Sequence, residues 1–256
     1  MELTILGAHN IESETARLAG MLIDGTLALD AGSLTSSLSL EDQYRIKAVF
    51  LTHHHYDHIR DIPILGMSLY LGHRNARIFA LPETLDVLAS SFLNGRVYSD
   101  FIRKPPEMPA FSLEPVVPGA EIQFEAYRIL PVSMPHSVPA IGYLVNGPDG
   151  GRLFYTGDAG PGFYVQILGL EPHLLIVEVT ASNRYTDFGR SAGHLTPGLL
   201  EVELLAYREA KGYVPDVVCV HMYPGQEKEI IGQLNQLAER LDADIHPSCE
   251  GMRINI

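Results

Sequence analysis

The sequence predicts a mixed α/β chain in which sheets pack against one another beneath helices. Three observations predict it. Short apolar runs rich in β-formers occur in series in both halves of the chain. Helical patterns with their own start and stop signals lie between them. The 256 residues are 46% hydrophobic and 19% charged, a globular balance in a chain long enough to bury most of its apolar surface. No linker, low-complexity tract or short repeat interrupts this pattern, so residues 1–256 read as a single domain.

Each element has a local reason. Residues 3–6, 21–23, 27–29 and 48–51 are apolar, about four long and bounded by turn residues, the signature of short strands. Pro82 opens the helical stretch PETLDVLASSFLN, where Leu85, Leu88, Ala89 and Phe92 share a face and proline sits in the first turn. Residues 103–119 are proline-rich and read as a loop with one short strand at 111–113. Strands are expected again at 127–132, 140–145, 152–155 and 174–179. Thr196 is a helix N-cap followed by Pro197, and the helix runs to a stop at Gly212. A strand at 217–220, a helix at 226–241 and a strand at 252–256 close the chain.

Composition limits the partners. Eighteen basic against 31 acidic residues give a net charge of −13. Nucleic-acid binders draw most of their affinity from cationic contacts to phosphate, so this balance argues against long nucleic acid and favours a small anionic substrate. No apolar run approaches the roughly 20 residues of a membrane helix, and MELTILGAHNIESE lacks the basic start and apolar stretch of a signal peptide. Only Cys219 and Cys249 are present, which suits a reducing compartment. A cytoplasmic protein is expected.

Histidine is the unusual residue, at 11 in a chain without tryptophan. Four of them fall in LTHHHYDHI, directly after the apolar run 48–51, where His53, His55, Asp57 and His58 make H-x-H-x-D-H. Side chains two apart in an extended or turning segment point the same way, so His53 and His55 can grip one ion. Asp57 and His58 can reach a second, while His54 and Tyr56 face elsewhere. Imidazole and carboxylate together suit Zn²⁺ and accept Mn²⁺ or Fe. Further ligand types follow later strands at their C-terminal ends: His136, Asp158 and His221.

With these positions in order, the chain resembles the metallo-β-lactamase-fold hydrolase superfamily over nearly its whole length. The resemblance implies a four-layer αββα sandwich and two divalent metal ions. It puts His53, His55 and His136 on one metal and Asp57, His58 and His221 on the other, with Asp158 bridging. A homodimer is compatible with it, dimers being common in the superfamily.

Further stretches narrow the chemistry. LIVEVTASN places Glu178 at a strand end, and GHLTPGLL places His194 just before a helix. Together with TGDAGP and IFALPETLDVLASSFLNGRVYSDF, they resemble the class II cyclic-nucleotide phosphodiesterases; the RNase Z branch pairs a Glu and a His at comparable places. The chain reads SMPHSV where the class II family usually reads SHG. The resemblance implies hydrolysis of a small phosphodiester, a 3′,5′-cyclic nucleotide being one candidate, by a hydroxide held between the two metals. Asp158 would orient the nucleophile, and His194, held by Glu178, would protonate the leaving alkoxide. Thioester or lactone hydrolysis and RNA processing of the RNase Z kind are the alternatives. Arg184 and Arg190 are candidate phosphate contacts. His9 is expected to be structural, His73, His173 and His246 to lie in loops, and Cys219 to be a core residue.

Overall fold

Burial along Tyr127–Val132 shows how the sheets are built: Tyr127, Ile129 and Pro131 are buried, whereas Arg128 is exposed and Leu130 and Val132 are half-buried. A period of two puts successive side chains on opposite faces, so one face of such a strand can enter a core. The computed structural model describes residues 1–256. Its strands are β1 (Glu2–Gly7), β2 (Gly20–Ile23), β3 (Leu27–Leu29), β4 (Ala48–Phe50), β5 (Ala76–Ala80), β6 (Phe111–Pro115) and β7 (Ile122–Phe124). The second half adds β8 (Tyr127–Met134), β9 (Ala140–Asn146), β10 (Arg152–Tyr155), β11 (Leu174–Glu178), β12 (Asp216–Val220), β13 (Ile245–Pro247) and β14 (Arg253–Asn255). The helices are α1 (Leu34–Ser37), α2 (Leu40–Gln43), α3 (Tyr56–Ile59), α4 (Ile62–Leu71), α5 (Pro82–Val87), α6 (Tyr164–Ile167), α7 (Thr186–Ala192), α8 (Pro197–Lys211) and α9 (Glu227–Leu241).

Two seven-stranded mixed sheets result, in the orders β14-β1-β2-β3-β4-β5-β6 and β13-β12-β11-β10-β9-β8-β7. Leu29 and Phe50 of the first sheet share one core with Ile129, Tyr143 and Ile176 of the second. On the outer face of the first sheet, Ala28 and Val49 pack with Ile62, Leu65 and Leu69 of α4. On the outer face of the second, Leu175 and Val177 pack with Leu200 and Leu204 of α8 and Leu234 and Leu237 of α9. The order is therefore helix, sheet, sheet, helix, the αββα sandwich expected. No helix is long and apolar enough to cross a membrane.

The strands read from the apolar runs fall within about two residues of their observed bounds. The Thr196 hydroxyl accepts from Leu199 N–H at 3.3 Å, and Gly212 closes α8 in the left-handed region at φ +83°. The stretch from Pro82 differs: α5 stops at Val87 and continues as a π turn over Leu88–Phe92. Three strands, the ten-residue helix α4 and the short helices α1, α2, α3, α6 and α7 had no sequence signal of their own. β7 and β13 have three residues each, and β13 contains a proline. The apolar run of β5 is broken by the exposed Arg77. In α4 the residues are almost all apolar, so no polar face marks a helical period, and Gly66 weakens the pattern further. That glycine is required by packing, since a Cβ there would lie 2.5 Å from the Phe101 ring. His246, expected in a loop, is the middle residue of β13.

β3, β4, β5 and β6 run parallel, as do β10, β11, β12 and β13. The C-terminal ends of parallel strands open on a common edge, where ligand crevices form.

Candidate active site

The sequence-predicted residues converge on that edge. His53, His55, Asp57 and His58 follow β4, with the last two on the first turn of α3; His136 follows β8, Asp158 follows β10 and His221 follows β12. His221 turns there with φ +66°, a strained conformation for a side-chain-bearing residue and one that recurs at functional sites. Two clusters form, His53, His55, His136 with Asp158, and Asp57, His58 with His221, each with its donor atoms within 4.8 Å of one another.

Asp158 divides its carboxylate between them. Its Oδ2 stands 3.6 Å from His53 Nε2 and 3.7 Å from His136 Nε2. Its Oδ1 stands 3.2 Å from His58 Nε2 and 3.4 Å from His221 Nε2. His221 Nε2 is also 3.1 Å from Asp57 Oδ2. Asp158 and His194 form a third grouping with His221, but His194 Nδ1 is 4.0 Å from Asp158 and is engaged by Glu178 at 2.9 Å.

Behind the imidazoles lies a set of hydrogen bonds that fixes which nitrogen points inward. Asp30, wholly buried after β3, accepts from His58 Nδ1 at 2.7 Å, Thr52 N–H at 2.8 Å and the Tyr155 hydroxyl at 2.8 Å. The Thr52 hydroxyl donates to Asp30 at 3.0 Å and so accepts from His53 Nδ1, also at 3.0 Å. Glu178 repeats the arrangement. It accepts from His194 Nδ1, from the Thr180 N–H and hydroxyl at 3.0 and 2.9 Å, and from Leu195 N–H at 3.1 Å. The Thr180 hydroxyl in turn accepts from His221 Nδ1 at 2.8 Å. His136 Nδ1 donates to the Gly193 carbonyl at 3.0 Å. Each carboxylate thus orients one histidine directly and a second through a threonine. His53, His58, His136 and His221 are left presenting Nε2 to the centre.

These donors fit divalent cations. His53 Nε2 and Asp158 Oδ1 are buried without a hydrogen-bond partner of suitable geometry. Ring nitrogens face each other at 3.3 Å between His136 and His55 and at 3.4 Å between His58 and His221. Lone pairs so placed repel unless a positive charge lies between them. Burial disfavours a carboxylate at Asp57, but His58 and His221 outweigh it and hold its pKa at about 2. Burial likewise opposes the carboxylate of Asp158, and His221, His58 and His53 hold it well below the usual range. Burial and the neighbouring His58 push His53 down, toward the neutral form that ligates metals. Burial disfavours charge on His58, but Asp158, Asp30 and Asp57 outweigh it and raise its pKa. His58 therefore gives up a proton when it takes a cation, whereas the carboxylates and His53 already hold the forms that ligate. For His194 burial lowers the pKa, yet Glu178, backed by Asp158, raises it to about 9.

The cleft in front is about 550 Å³ and is lined by Asn10, Glu12, Leu18, Tyr56 and Arg60 besides the histidines and aspartates. Tyr56, expected to face away, lines its mouth and stacks on Phe92 with centroids 6.3 Å apart. Arg184 is paired with Glu229, Arg190 is exposed, and neither lines the cleft. Cys219 is buried against the α8–α9 layer. Sequence reasoning misses Asp30, Thr52 and Thr180. Asp30 carries the same signal as Asp158, an acidic residue at the C-terminal end of an apolar strand.

His9 is structural, as expected. It is buried between Glu250 at 2.7 Å and Glu227 at 3.1 Å, bracing the loop after β1 against the C-terminal region. Burial opposes charge on both partners. The hydrogen bond to His9 still holds Glu250 down at about 2, and the two glutamates raise His9 above its ordinary 6.5. A depressed Glu250 contributes stability above its unfolded pKa of 4.5 and loses it as pH falls toward 2. A raised His9 contributes fully below 6.5 and loses it as pH rises through the raised value. Glu250→Gln is therefore expected to cost about 1–2 kcal/mol between those two unfolded values, with the difference shrinking on either side. Urea midpoints from pH 3 to 9 check this, and a pH-independent difference refutes it.

Comparison with known proteins identifies the family and the fold. Residues 21–222 match the family model described as the beta-lactamase superfamily domain. Ribonuclease Z of Pyrococcus furiosus is 29% identical over 107 residues, 41% of this chain and 32% of that protein. Ribonuclease Z of Pyrococcus abyssi is 28% identical over 131 residues, 50% of this chain and 38% of that protein. The matched stretch thus spans about a third of the length of these curated relatives. The crystal structure of unliganded yeast PDE1 superposes with a TM-score of 0.83 at 18% identity, covering 100% of this chain and 99% of that one. Since the family model covers most of the chain and the fold matches throughout, the chain belongs to the beta-lactamase superfamily domain family, within the metallo-β-lactamase-fold hydrolases.

Proposed function

We propose that the chain hydrolyses the phosphodiester bond of a small substrate. His53, His55, His136 and Asp158 Oδ2 would hold one divalent cation, and Asp57, His58, His221 and Asp158 Oδ1 a second. The imidazole-rich donor set suits Zn²⁺ best and accepts Mn²⁺ or Fe. When bound, the cations supply Lewis acidity toward the phosphoryl oxygens and lower the pKa of water.

The observation that carries the reading is the Glu178–His194 pair at the edge of the cleft. Glu178 takes His194 Nδ1–H at 2.9 Å and keeps the ring protonated below about 9, so the opposite nitrogen, Nε2, holds a proton. An alkoxide leaves a phosphodiester slowly unless it is protonated, and His194 supplies that proton from Nε2. A thiolate needs none, so the pair favours an oxygen ester over a thioester. Matches to ribonuclease Z support phosphodiester chemistry, and the net charge of −13 favours a small diester over RNA.

Metal-loaded protein assayed on bis-p-nitrophenyl phosphate, on 2′,3′- and 3′,5′-cyclic nucleotides, on a precursor tRNA, and on a thioester and a lactone tests the reading. Turnover of the small diesters is expected. Thioester or lactone turnover without diester turnover would sink it, and cleavage confined to the RNA would replace it with RNA processing.

A further inference from the structure

Beside the cleft lies a second cavity of about 340 Å³, lined by Asn10, Ile11, Thr180, Ala181, Tyr185, Phe188, Tyr223 and Gln226. Its walls are unusual for a soluble surface. Ile11, Tyr185, Phe188 and Tyr223 are between 38 and 53% exposed, so four large apolar side chains are held in water around one hollow. Exposed apolar groups gathered in this way mark binding surfaces, whereas scattered ones do not.

The cavity adjoins the chemistry. Asn10 lines both hollows. Thr180 lines this one while its hydroxyl lies 2.8 Å from His221 Nδ1 and 3.2 Å from His194 Nδ1. Phe188 belongs to α7, and only Gly193 separates the end of that helix from His194. The two hollows share Asn10, so a group carried by a substrate in the cleft can extend into this cavity toward α7.

Chemistry also limits what fits. No Lys, Arg, Asp or Glu lines the cavity, so it suits an uncharged group. Its aromatic walls suit a flat ring, which stacks on them without ordering a flexible chain. Gln226 spends its Oε1 on Ser182 N–H at 2.9 Å, which leaves its amide N–H groups to offer.

We propose that this cavity is a subsite for a flat, uncharged aromatic ring carried by the substrate, gripped by Tyr185, Phe188 and Tyr223. That the ring belongs to a phosphate ester rests on the phosphodiester reading above; the ring-binding chemistry rests on the cavity itself.

Calorimetry of the metal-loaded protein with adenosine 5′-monophosphate, phenyl phosphate, octyl phosphate and ribose 5-phosphate tests it. The two ring-bearing phosphates are expected to bind about fivefold to a hundredfold more tightly than ribose 5-phosphate, the range that base–aromatic stacking contributes. Tighter binding of the nucleotide than of phenyl phosphate assigns the ring to a nucleobase, and the reverse assigns it to a simple aryl ester. Phe188→Ala and Tyr185→Ala are each expected to bring the ring-bearing to ring-free ratio close to one. Equal affinities for all four ligands in the unaltered protein, or tightest binding of octyl phosphate, would overturn the proposal. Diester turnover without ring preference would overturn the subsite alone, whereas ring preference without diester turnover would overturn the phosphodiesterase reading alone.

Discussion

Replacing His194 by Asn is expected to slow hydrolysis of an alkyl phosphodiester by about 10²–10⁴-fold, the usual contribution of a positioned acid. The same replacement is expected to slow a p-nitrophenyl diester far less, because nitrophenolate leaves without a proton. The physical reason lies in the two sides of the ring. Nδ1 is occupied by Glu178 at 2.9 Å, which keeps the imidazole charged up to about 9, so Nε2 carries a proton it can release. Glu178→Gln leaves an acceptor beside Nδ1 but removes the charge. It should slow the alkyl diester by a smaller factor, with KM little changed. The measurement is kcat for both leaving groups, with metal content read by mass spectrometry on the same samples. Equal losses on both substrates, accompanied by loss of metal, would make His194 a ligand, as its grouping with Asp158 and His221 allows.

Asp30→Ala should have the largest effect on the molecule as a whole. It removes an acceptor that four donors share: His58 Nδ1, Tyr155 Oη, Thr52 N and Thr52 Oγ1. All of these donors are buried, so none regains a partner from water. Truncating one member of such a buried charged network costs about 3–5 kcal/mol. The site would also lose its aim. His58 turns freely about its ring axis without the 2.7 Å bond, and Thr52 no longer fixes the tautomer of His53. Loss of such an orienting partner typically weakens metal affinity 10- to 100-fold. Urea unfolding with and without added Zn²⁺, together with chelator competition, reads both effects. Unchanged affinity for both metals in a folded Asp30→Ala protein would show that the network does not orient the ligands. Asp30→Asn keeps an acceptor for Tyr155 and is expected to fall between the two.

Local chemistry made much of this legible in the chain. His53, His55, Asp57 and His58 lie within six residues, and a turn after a short strand suffices to gather them. Thr196 and Gly212 mark the ends of α8 through bonds to near neighbours, so their signals survive in one dimension. Where the reading failed, the information was not local. α4 is apolar even where Ile64, Tyr70 and Leu71 are exposed, so no polar face marks its period. Strand alternation would turn Tyr56 away from the site, but the segment turns into α3 and carries its ring to the cleft mouth. Asp30 bore a readable strand-end signal, yet nothing in its neighbourhood named a partner.

The sequence by itself determined the kind of site: mixed imidazole and carboxylate donors in two groups at the ends of strands, in a chain too acidic to favour a polyanion. Tertiary structure decided how those donors are held and what stands beside them. Asp158 splits its oxygens between two clusters, Asp30 meets Tyr155 across 125 residues, and His221 meets Asp57 across 164. The aromatic cavity draws on the loops after β1, β11 and β12 together. Contacts of that range depend on which strands pair and how the two sheets pack face to face. Those are properties of the whole core, and no window of the sequence contains them.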